Sequence, residues 1–512
     1  MDLDRLKQNT PLLLPACLAL LSTLYLLKNS RSAKEKEGMK EIPYPHGSIS
    51  WPIFGHMLSL RNCPSSKVTQ WHNENGPIFK INMGNQLWIM ISDPLLAHEF
   101  FVKAGSSTSS RPYHRFNVDI YGRHGRGLSF AQYTPKWKTV RKTAVSLFAP
   151  ESLRNYINIL EAEADNLMDR LRDMSGDGKA FDCYQHLSLA SLNFVLRVTA
   201  ATRLESIEDP TFQSISNLSH YALIYSGVAG DLVSYTPSLA WIDRWRDTRD
   251  KMQALINNQR DPIISKLIED AMKKEDDSLI KELYKMKEKG SMDEDDIYVF
   301  MTGSDPITVA LYWTLAILSQ QPKVQETLIK ELDAWKAKNS ADAVPHFYQD
   351  IDQFPYMLCV QKEVQRFRPG TTFGLPHMTT DDVTAQGYFV PKGSMLFSSM
   401  WAMHQNKAFY EDPDRFRPER YMDGLKKISA AANARIQERD HFGFGWGRRI
   451  CPGIHLAEVQ FFNFYVRFFS KFTVVPDLDS EGNLMPVDLN HVVEEGIVFK
   501  PMPHKIRILP RT

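Results

Sequence analysis

A glycine-rich stretch around one cysteine, close to the C-terminal end, restricts the possible folds of this chain more than any other feature. Its sequence is Phe444-Gly445-Trp446-Gly447-Arg448-Arg449-Ile450-Cys451-Pro452-Gly453. The glycines on both sides of Cys451 permit tight backbone turns beside a flat ligand. Helical sequence follows Cys451, and the N–H groups and dipole at the start of a helix stabilise a thiolate. A thiolate held in this way is a suitable axial ligand for haem iron.

The same stretch matches F-x-x-G-x-R-x-C-x-G, the haem-binding signature of the cytochrome P-450 superfamily, and in this respect the chain resembles that superfamily. The matching positions are Phe444, Gly447, Arg449, Cys451 and Gly453. The resemblance implies that Cys451 ligates the iron of haem b (iron protoporphyrin IX) and that the other four residues contact the cofactor. The residues around Cys451 look most like those of fungal microsomal members. The alternative is a buried, inert cysteine in a glycine-rich turn.

Two further motifs of the superfamily precede the cysteine in the expected order. Glu363-Val364-Gln365-Arg366 matches E-x-x-R, and residues 413–420 match P-x-x-F-x-P-x-R. Residues at i and i+3 share one face of a helix, so Glu363 and Arg366 can pair. The resemblance implies that Arg420 joins them in a salt-bridged cluster behind the haem. We predict a structural role for this trio, because a paired buried network rigidifies rather than reacts.

Candidates for binding the haem propionates are spread along the chain. Trp137 and Arg141 match the superfamily's W-x-x-x-R, with an i, i+4 spacing that places both on one helix face. By resemblance Arg141 hydrogen-bonds a propionate, because guanidinium geometry suits carboxylates, and Trp137 lies beside it. His377 and Arg449 are the other propionate candidates. The alternatives are an ordinary surface arginine near a core tryptophan, and a loop histidine that is satisfied within the protein.

The predicted long helix departs from the superfamily pattern at one position. Residues 302–308 resemble A/G-G-x-D/E-T-T, in which the acid and the following threonine organise protons, but Pro306 replaces that threonine. Proline offers no N–H to the Thr302 carbonyl and would kink the helix. We hypothesise that Thr302, with Asp305 and ordered water, replaces the missing hydroxyl. The alternatives are that Thr302 only packs, or that an isomerase, dehydratase or peroxide-driven reaction needs no such proton relay.

Periodicity predicts a mainly α protein with small β-sheets. An exposed amphipathic helix is predicted over residues 266–289 and a long apolar helix over 297–319. A hairpin is predicted around Met83-Gly84-Asn85, and short strands over 383–385, 388–390 and 395–397. The resemblance implies the cytochrome P-450 fold over residues 46–512, an α-helical prism around a buried haem.

The N-terminal end differs in composition from the rest of the chain. The uncharged run Leu12–Leu27 predicts a transmembrane signal-anchor helix over residues 11–28, after a short lumenal segment 1–10. Residues 29–45 are a basic, proline-containing linker. The basic residues that follow the run predict a single-pass protein of the endoplasmic reticulum membrane with a cytosolic catalytic domain. A cleaved signal peptide and a buried helix are the alternatives.

The resemblance implies a monooxygenase that inserts one oxygen atom of O2 into a hydrophobic substrate, such as a steroid, terpenoid, polyketide or fatty acid. The resemblance implies electrons from NADPH through a membrane-bound cytochrome P-450 reductase, with cytochrome b5 as a further candidate partner. A formal net charge of +1 argues against nucleic acid as a partner. A non-catalytic haem carrier or sensor is the alternative of a different class.

Two surfaces of the predicted enzyme can be assigned candidate residues. A basic face for docking the reductase would comprise Lys136, Lys138, Lys142 and Arg448. By family correspondence the substrate pocket is apolar, and its candidate residues are Phe116, Ile120, Phe300, Met301, Ile307, Thr372, Phe373, Leu375 and Val498. Charged residues are more often simply solvated, and apolar ones at such positions are more often plain core.

Overall fold

Helices supply most of the secondary structure, in agreement with the helical periodicity. The computed structural model describes residues 38–60, 63–176, 178–300, 306–496 and 498–511. The principal helices are α1 (Pro64–Asn75), α2 (Pro135–Leu147), α3 (Ile157–Ser175), α4 (Tyr184–Ala200), α5 (Pro210–Ser226), α6 (Ala240–Arg246), α7 (Thr248–Leu255), α8 (Asp261–Lys273), α9 (Leu279–Glu288), α10 (Glu294–Phe300), α11 (Pro306–Leu318), α12 (Pro322–Lys338), α13 (Pro355–Phe367), α14 (Met400–His404) and α15 (Ile454–Lys471). Shorter helical turns are Met57–Leu60, Pro94–His98, Glu99–Lys103, Gly105–Thr108, Arg115–Ile120, Pro150–Arg154, Leu232–Tyr235, Pro237–Leu239, Ile256–Arg260, Phe347–Asp350, Ile351–Gln353, Pro418–Tyr421, Ile428–Ala432, Ile436–Glu438 and Gly447–Arg449.

The strands form four small sheets among the residues that the structure describes. They are β1 (Ile78–Met83), β2 (Gln86–Ile91), β3 (His377–Met378), β4 (Val383–Ala385), β5 (Tyr388–Val390), β6 (Met395–Ser398), β7 (Phe472–Leu478), β8 (Leu484–Met485), β9 (Val492–Glu495), β10 (Val498–Pro501) and β11 (Ile506–Pro510). The strand orders are β1-β2-β6-β3, β4-β5, β11-β7-β8 and β10-β9. The predicted hairpin joins β1 to β2, and Gly84 in its turn has a φ of +60° that favours glycine. Pairing of His377 with Leu396 fixes the position of that histidine in the first sheet.

Helix α11 lies in the largest apolar core. Every residue from Thr308 to Leu318 is buried, because the helix is apolar on all sides and packs against α4, α13 and β10. Its Trp313 satisfies the indole N–H by donating to the Phe499 carbonyl at 2.9 Å. The same core includes the phenylalanine-rich side of α15, so the helix that follows Cys451 is packed against the centre of the protein.

One helix prediction was wrong in its extent, and a second falls partly outside the described residues. The predicted helix over residues 266–289 is two helices, α8 and α9, because Ser278 caps the second one by accepting a hydrogen bond from the Lys281 N–H. Both helices bury one apolar face, as the amphipathic pattern predicts. The predicted helix over 297–319 corresponds to α10 and α11, and residues 301–305 between them lie outside the described residues.

The predicted membrane anchor cannot be compared with the fold. Across the described ranges, which begin at residue 38, the structure contains no helix long and apolar enough to span a bilayer. The predicted signal-anchor over residues 11–28 falls outside those ranges.

Candidate active site

The loop that presents Cys451, residues 442–453 and here called the cysteine loop, requires glycine where its backbone has a positive φ, at Gly445 and Gly447. Gly447 has a φ of +50°, and a Cβ atom there would lie 2.5 Å from the Phe101 carbonyl oxygen. The Cys451 N–H donates to the Phe444 carbonyl at 2.8 Å, which closes the loop on itself. Helix α15 begins at Ile454, three residues after the cysteine. The loop therefore places the sulfur beside the start of a helix, as the sequence predicts.

The surroundings of the Cys451 sulfur act on its pKa in both directions. Burial raises the pKa of the thiol, because it disfavours the charged form. The backbone N–H of Gly453 and the Arg141 guanidinium oppose this and lower the pKa of the thiol. These two groups therefore stabilise the thiolate that a metal requires.

Three arginines next to this loop donate to carbonyl oxygens in all of the hydrogen bonds that they form with described residues. Arg449 donates to the carbonyls of Ser109, Leu128 and Ala131 at 2.8, 3.0 and 2.6 Å. Arg111 donates to those of Ser129, Leu375 and Pro376 at 2.8, 2.8 and 2.7 Å. Arg141 donates to the Ile450 carbonyl.

In the described part of the chain, none of these three arginines pairs with an acidic side chain, and Arg111 and Arg449 are buried. Burial, followed by repulsion from Arg449 and Arg141, lowers the pKa of Arg111 well below its usual value. Burial and Arg141 lower the pKa of Arg449 to about 9. Buried cations without a counter-charge are unfavourable, so the cluster is complementary to an anionic group. Two carboxylates, as haem carries, fit this requirement.

Arg111 was not identified from the sequence. It belongs to no motif in the sequence, and its contacts with Leu375 and Pro376 span more than 260 residues. An arginine immediately before Pro112 is the only local signal, and it does not indicate a ligand. The residue becomes a candidate only when the fold brings it beside Arg449.

Trp137 and His377 contact the arginine cluster in specific ways. Trp137 is buried, and its indole N–H donates to the Leu128 carbonyl at 3.0 Å. The Arg449 guanidinium carbon lies 3.9 Å from the centroid of the Trp137 ring, in a cation–π contact. Arg141 is 5.7 Å from the same ring. Burial, followed by repulsion from Arg111, lowers the pKa of His377, whose Nδ1 donates to the Thr108 carbonyl at 2.7 Å. In that neutral state Nε2 carries no proton, so His377 can donate to a carboxylate only after gaining a second proton.

Glu363, Arg366 and Arg420 come together behind this loop. Arg366 donates to both carboxylate oxygens of Glu363 at 2.8 Å, and Arg420 donates to one of them at 3.1 Å. The Arg417 N–H is a further donor to Glu363 at 2.8 Å. Glu363 and Arg366 are fully buried. The network fixes helix α13 to the segment that precedes the cysteine loop.

The structure does not gather the candidate pocket residues into one described cavity. Phe116 and Ile120 pack in one apolar cluster, and Phe300 packs against another. Ile307 and Val498 lie against the largest core, whereas Phe373 contacts a cluster on the β1–β2 sheet. Thr372 is buried and Leu375 is half-buried. Met301 lies outside the described residues, as do the catalytic candidates Thr302 and Asp305.

The candidate docking residues are not equivalent. Lys136 forms ion pairs with Asp293 at 2.6 Å and Asp296 at 3.1 Å, so its charge is already compensated. Lys138 and Lys142 are exposed, and Arg448 is exposed next to Gly105. The docking prediction is therefore better restricted to these three residues.

Comparisons with known proteins identify the family. The family model described as cytochrome P-450 matches residues 45–507. The cytochrome P-450 monooxygenase verL of Clonostachys rogersoniana is 27% identical over 90% of this chain and 85% of its own, and yanC of Aspergillus niger is 26% identical over 98% and 94%. Two solved structures of a zebrafish cytochrome P-450, with abiraterone and with progesterone, are each 24% identical to this chain, with TM-scores of 0.71 and 0.72. Each match covers 88% of this chain, and the matches cover 100% and 99% of the zebrafish chains.

The chain therefore belongs to the cytochrome P-450 family, which confirms the fold implied by the sequence motifs. It is a cytochrome P-450 monooxygenase, and the family implies a haem iron cofactor.

Replacing Glu363 by glutamine should destabilise the protein strongly. The change leaves Arg366 and Arg420 buried without a counter-charge, which costs about 3–5 kcal/mol in comparable buried pairs. The free energy of unfolding from denaturant titration measures the effect. Glu151→Gln is a matched control, because Glu151 and Arg154 have the same E-x-x-R spacing but are mostly exposed. Equal stability of both variants would contradict a structural role for Glu363.

Proposed function

We propose that this protein uses Cys451 as the axial ligand of haem b to insert one oxygen atom of O2 into a hydrophobic small molecule. The single observation that carries the proposal is the Cys451 loop next to buried arginines that lack acidic partners. Haem with a thiolate ligand supplies the chemistry, because the thiolate donates electron density that favours O–O cleavage. Steroids, terpenoids, polyketides and fatty acids all meet the description of the substrate.

In this proposal the residues of the chain divide the work of binding the cofactor. Arg111, Arg141 and Arg449 hold the two propionates, since each guanidinium keeps N–H groups beyond those already bonded to carbonyls. The Trp137 ring packs against the Arg449 guanidinium and holds it in place. Phe444, Gly447 and Gly453 shape the loop so that the sulfur can approach the iron.

Electrons would come from NADPH through cytochrome P-450 reductase, with cytochrome b5 as a second candidate donor. The surface proposed for docking consists of Lys138, Lys142 and Arg448, which are exposed cations close to the cysteine loop. An acidic partner would be attracted to such a surface.

Proton delivery in this proposal depends on Thr302 and Asp305. Pro306, which stands where the family has a threonine, begins α11 and has no hydroxyl to donate. Thr302 lies four residues earlier, so in a helix it would face nearly the same direction. An isomerase, dehydratase or peroxide-driven reaction is the second candidate function, because each can proceed without this hydroxyl. A haem carrier or sensor would keep the thiolate and turn nothing over.

The reduced protein with carbon monoxide provides the first test. We expect the red-shifted Soret band that a thiolate ligand gives, and we expect Cys451→Ser to lose it, because an alcohol is not a comparable ligand. Cys183→Ser is the control, since Cys183 is an equally unpaired but deeply buried thiol.

Absence of the band from the parent protein would refute both the enzyme and the carrier. Substrate-dependent consumption of NADPH with added reductase then separates the two, and turnover with peroxide alone would favour the second candidate function.

The role of Thr302 is tested by the coupling of NADPH consumption to product. In Thr302→Ala we expect product per NADPH to fall at least about tenfold, with release of hydrogen peroxide, because positioned proton donors contribute that much or more. Thr308→Ala is the control, since two helical steps turn that side chain about 200° away from Pro306. Coupling in Thr302→Ala that equals the parent would reject the hypothesis.

We further propose that the catalytic domain rests on the endoplasmic reticulum membrane to which residues 11–28 anchor it. Trp241 and Trp245 on α6 are 70% and 84% exposed, and their i, i+4 spacing places both rings on one face. Trp51 and Ile53 are also exposed, and the turn between β1 and β2 links their segment to the one before α6: the Gly84 N–H donates to the Phe54 carbonyl, and the Asn85 N–H donates to that of Tyr235. Exposed tryptophans prefer the interface between lipid and water.

Fluorescence quenching by lipids tests this orientation in the full-length protein. With vesicles that carry a quencher just below the headgroups, we expect strong quenching of tryptophan emission. Replacing Trp241 and Trp245 together by phenylalanine should remove much of the quenched signal, whereas Trp313→Phe should not, because Trp313 is fully buried. Equal quenching in both variants would show that α6 faces away from the bilayer.

A further inference from the structure

The buried imidazole of His404 accepts a hydrogen bond from the cysteine loop. The Phe442 N–H donates to His404 Nε2 at 3.2 Å, and the two rings are stacked with their centroids 5.7 Å apart. His404 is fully buried at the end of α14. Burial, followed by repulsion from His441 and Arg366, lowers the pKa of His404. The ring is therefore neutral, and Nε2 keeps the lone pair that accepts the bond.

The backbone of the same residue is bonded to the buried salt bridge. Arg366, which Glu363 holds with two hydrogen bonds, donates to the His404 carbonyl at 2.9 Å. His404 thus touches the salt bridge through its carbonyl and the cysteine loop through its ring. No other described histidine makes both of these contacts.

A short series of contacts continues from Phe442 to the cysteine. The Gly445 N–H donates to the Phe442 carbonyl at 3.1 Å, and the Cys451 N–H donates to the Phe444 carbonyl at 2.8 Å. The Phe442 ring stacks on Trp446, which donates to Ser398 at 2.8 Å. A shift of Phe442 would therefore move the turn that positions the Cys451 sulfur.

We propose that His404 is a positioning residue, whose ring transmits the rigidity of the Glu363–Arg366 pair to the loop that presents Cys451. Because Phe442 is buried, removal of the His404 ring leaves the Phe442 N–H without a hydrogen-bond acceptor. That cost favours another arrangement of the loop. The loop would then no longer hold the Cys451 sulfur where it could serve as a ligand to haem iron. This inference rests on the proposal that Cys451 ligates haem.

A neighbouring histidine provides a matched control. His441 is as buried as His404, its ring lies 5.4 Å away, and the pKa of His441 is lowered to about 3 mainly by burial. Its two ring nitrogens have no hydrogen-bond partner among the described residues. His404→Leu and His441→Leu therefore remove the same ring from the same neighbourhood. The first removes a hydrogen bond to the loop, whereas at the loop the second removes only the contact of the His441 ring with Phe444, at 5.7 Å.

The Soret band of the reduced carbon monoxide complex is the main readout in these variants. We expect His404→Leu to convert much of the red-shifted band to the blue-shifted one of a lost thiolate, and to speed haem loss to apomyoglobin about tenfold. His441→Leu should leave both unchanged. Equal bands and equal rates of haem loss in the two variants would overturn the proposal.

Rescue separates positioning from packing, and it applies even if His404→Leu fails to fold. In His404→Gln the amide oxygen reaches the place of Nε2 and can accept the Phe442 N–H, whereas the shorter side chain in His404→Asn cannot. We expect the red-shifted band in the first variant and its partial loss in the second. The same band in both would refute the proposal. A parent protein that lacks the band would instead refute ligation by Cys451.

Discussion

The Glu363 carboxylate is the buried charge on which the surroundings of the cysteine loop depend. It accepts hydrogen bonds from Arg366, from Arg420 and from the Arg417 N–H, and so joins α13 to the segment after α14. A buried charge is tolerated only when its lone pairs are occupied, and four hydrogen bonds from three residues occupy them here. The network therefore has a structural role, because the carboxylate oxygens of Glu363 are occupied by hydrogen bonds within it.

The arginine cluster beside the loop has the reverse electrostatic arrangement. Arg111, Arg141 and Arg449 lie close enough to repel one another, their described hydrogen bonds go to carbonyl oxygens, and burial lowers the pKa of each. A protein gains nothing from such a cluster by itself, because repulsion adds to the desolvation cost. The cluster is favourable once an anion arrives. The Glu363 network is thus complete without a ligand, whereas the arginine cluster becomes favourable only with one.

Local motifs predicted the parts of this arrangement that lie close together in sequence. Glycines at fixed distances from Cys451, and the i, i+3 spacing of Glu363 and Arg366, carry their geometry within a few residues. Arg111 and His404 were not predicted from the sequence, because their roles depend on contacts with Leu375 and Phe442, which are far away in sequence. The helix boundary at Ser278 was missed for the same kind of reason, since one capping bond outweighed a long amphipathic pattern.

The residues that orient Cys451 and the candidate residues of the substrate pocket make different kinds of contact. The contacts that orient Cys451 are polar and directional, so each fixes one atom relative to another. The candidate pocket residues are apolar, and they belong to separate clusters on different elements. Apolar contacts are roughly proportional to area and carry little directional information. The chemistry of this enzyme is therefore encoded in a few hydrogen bonds, whereas its choice of substrate depends on a shape that many sequences could produce.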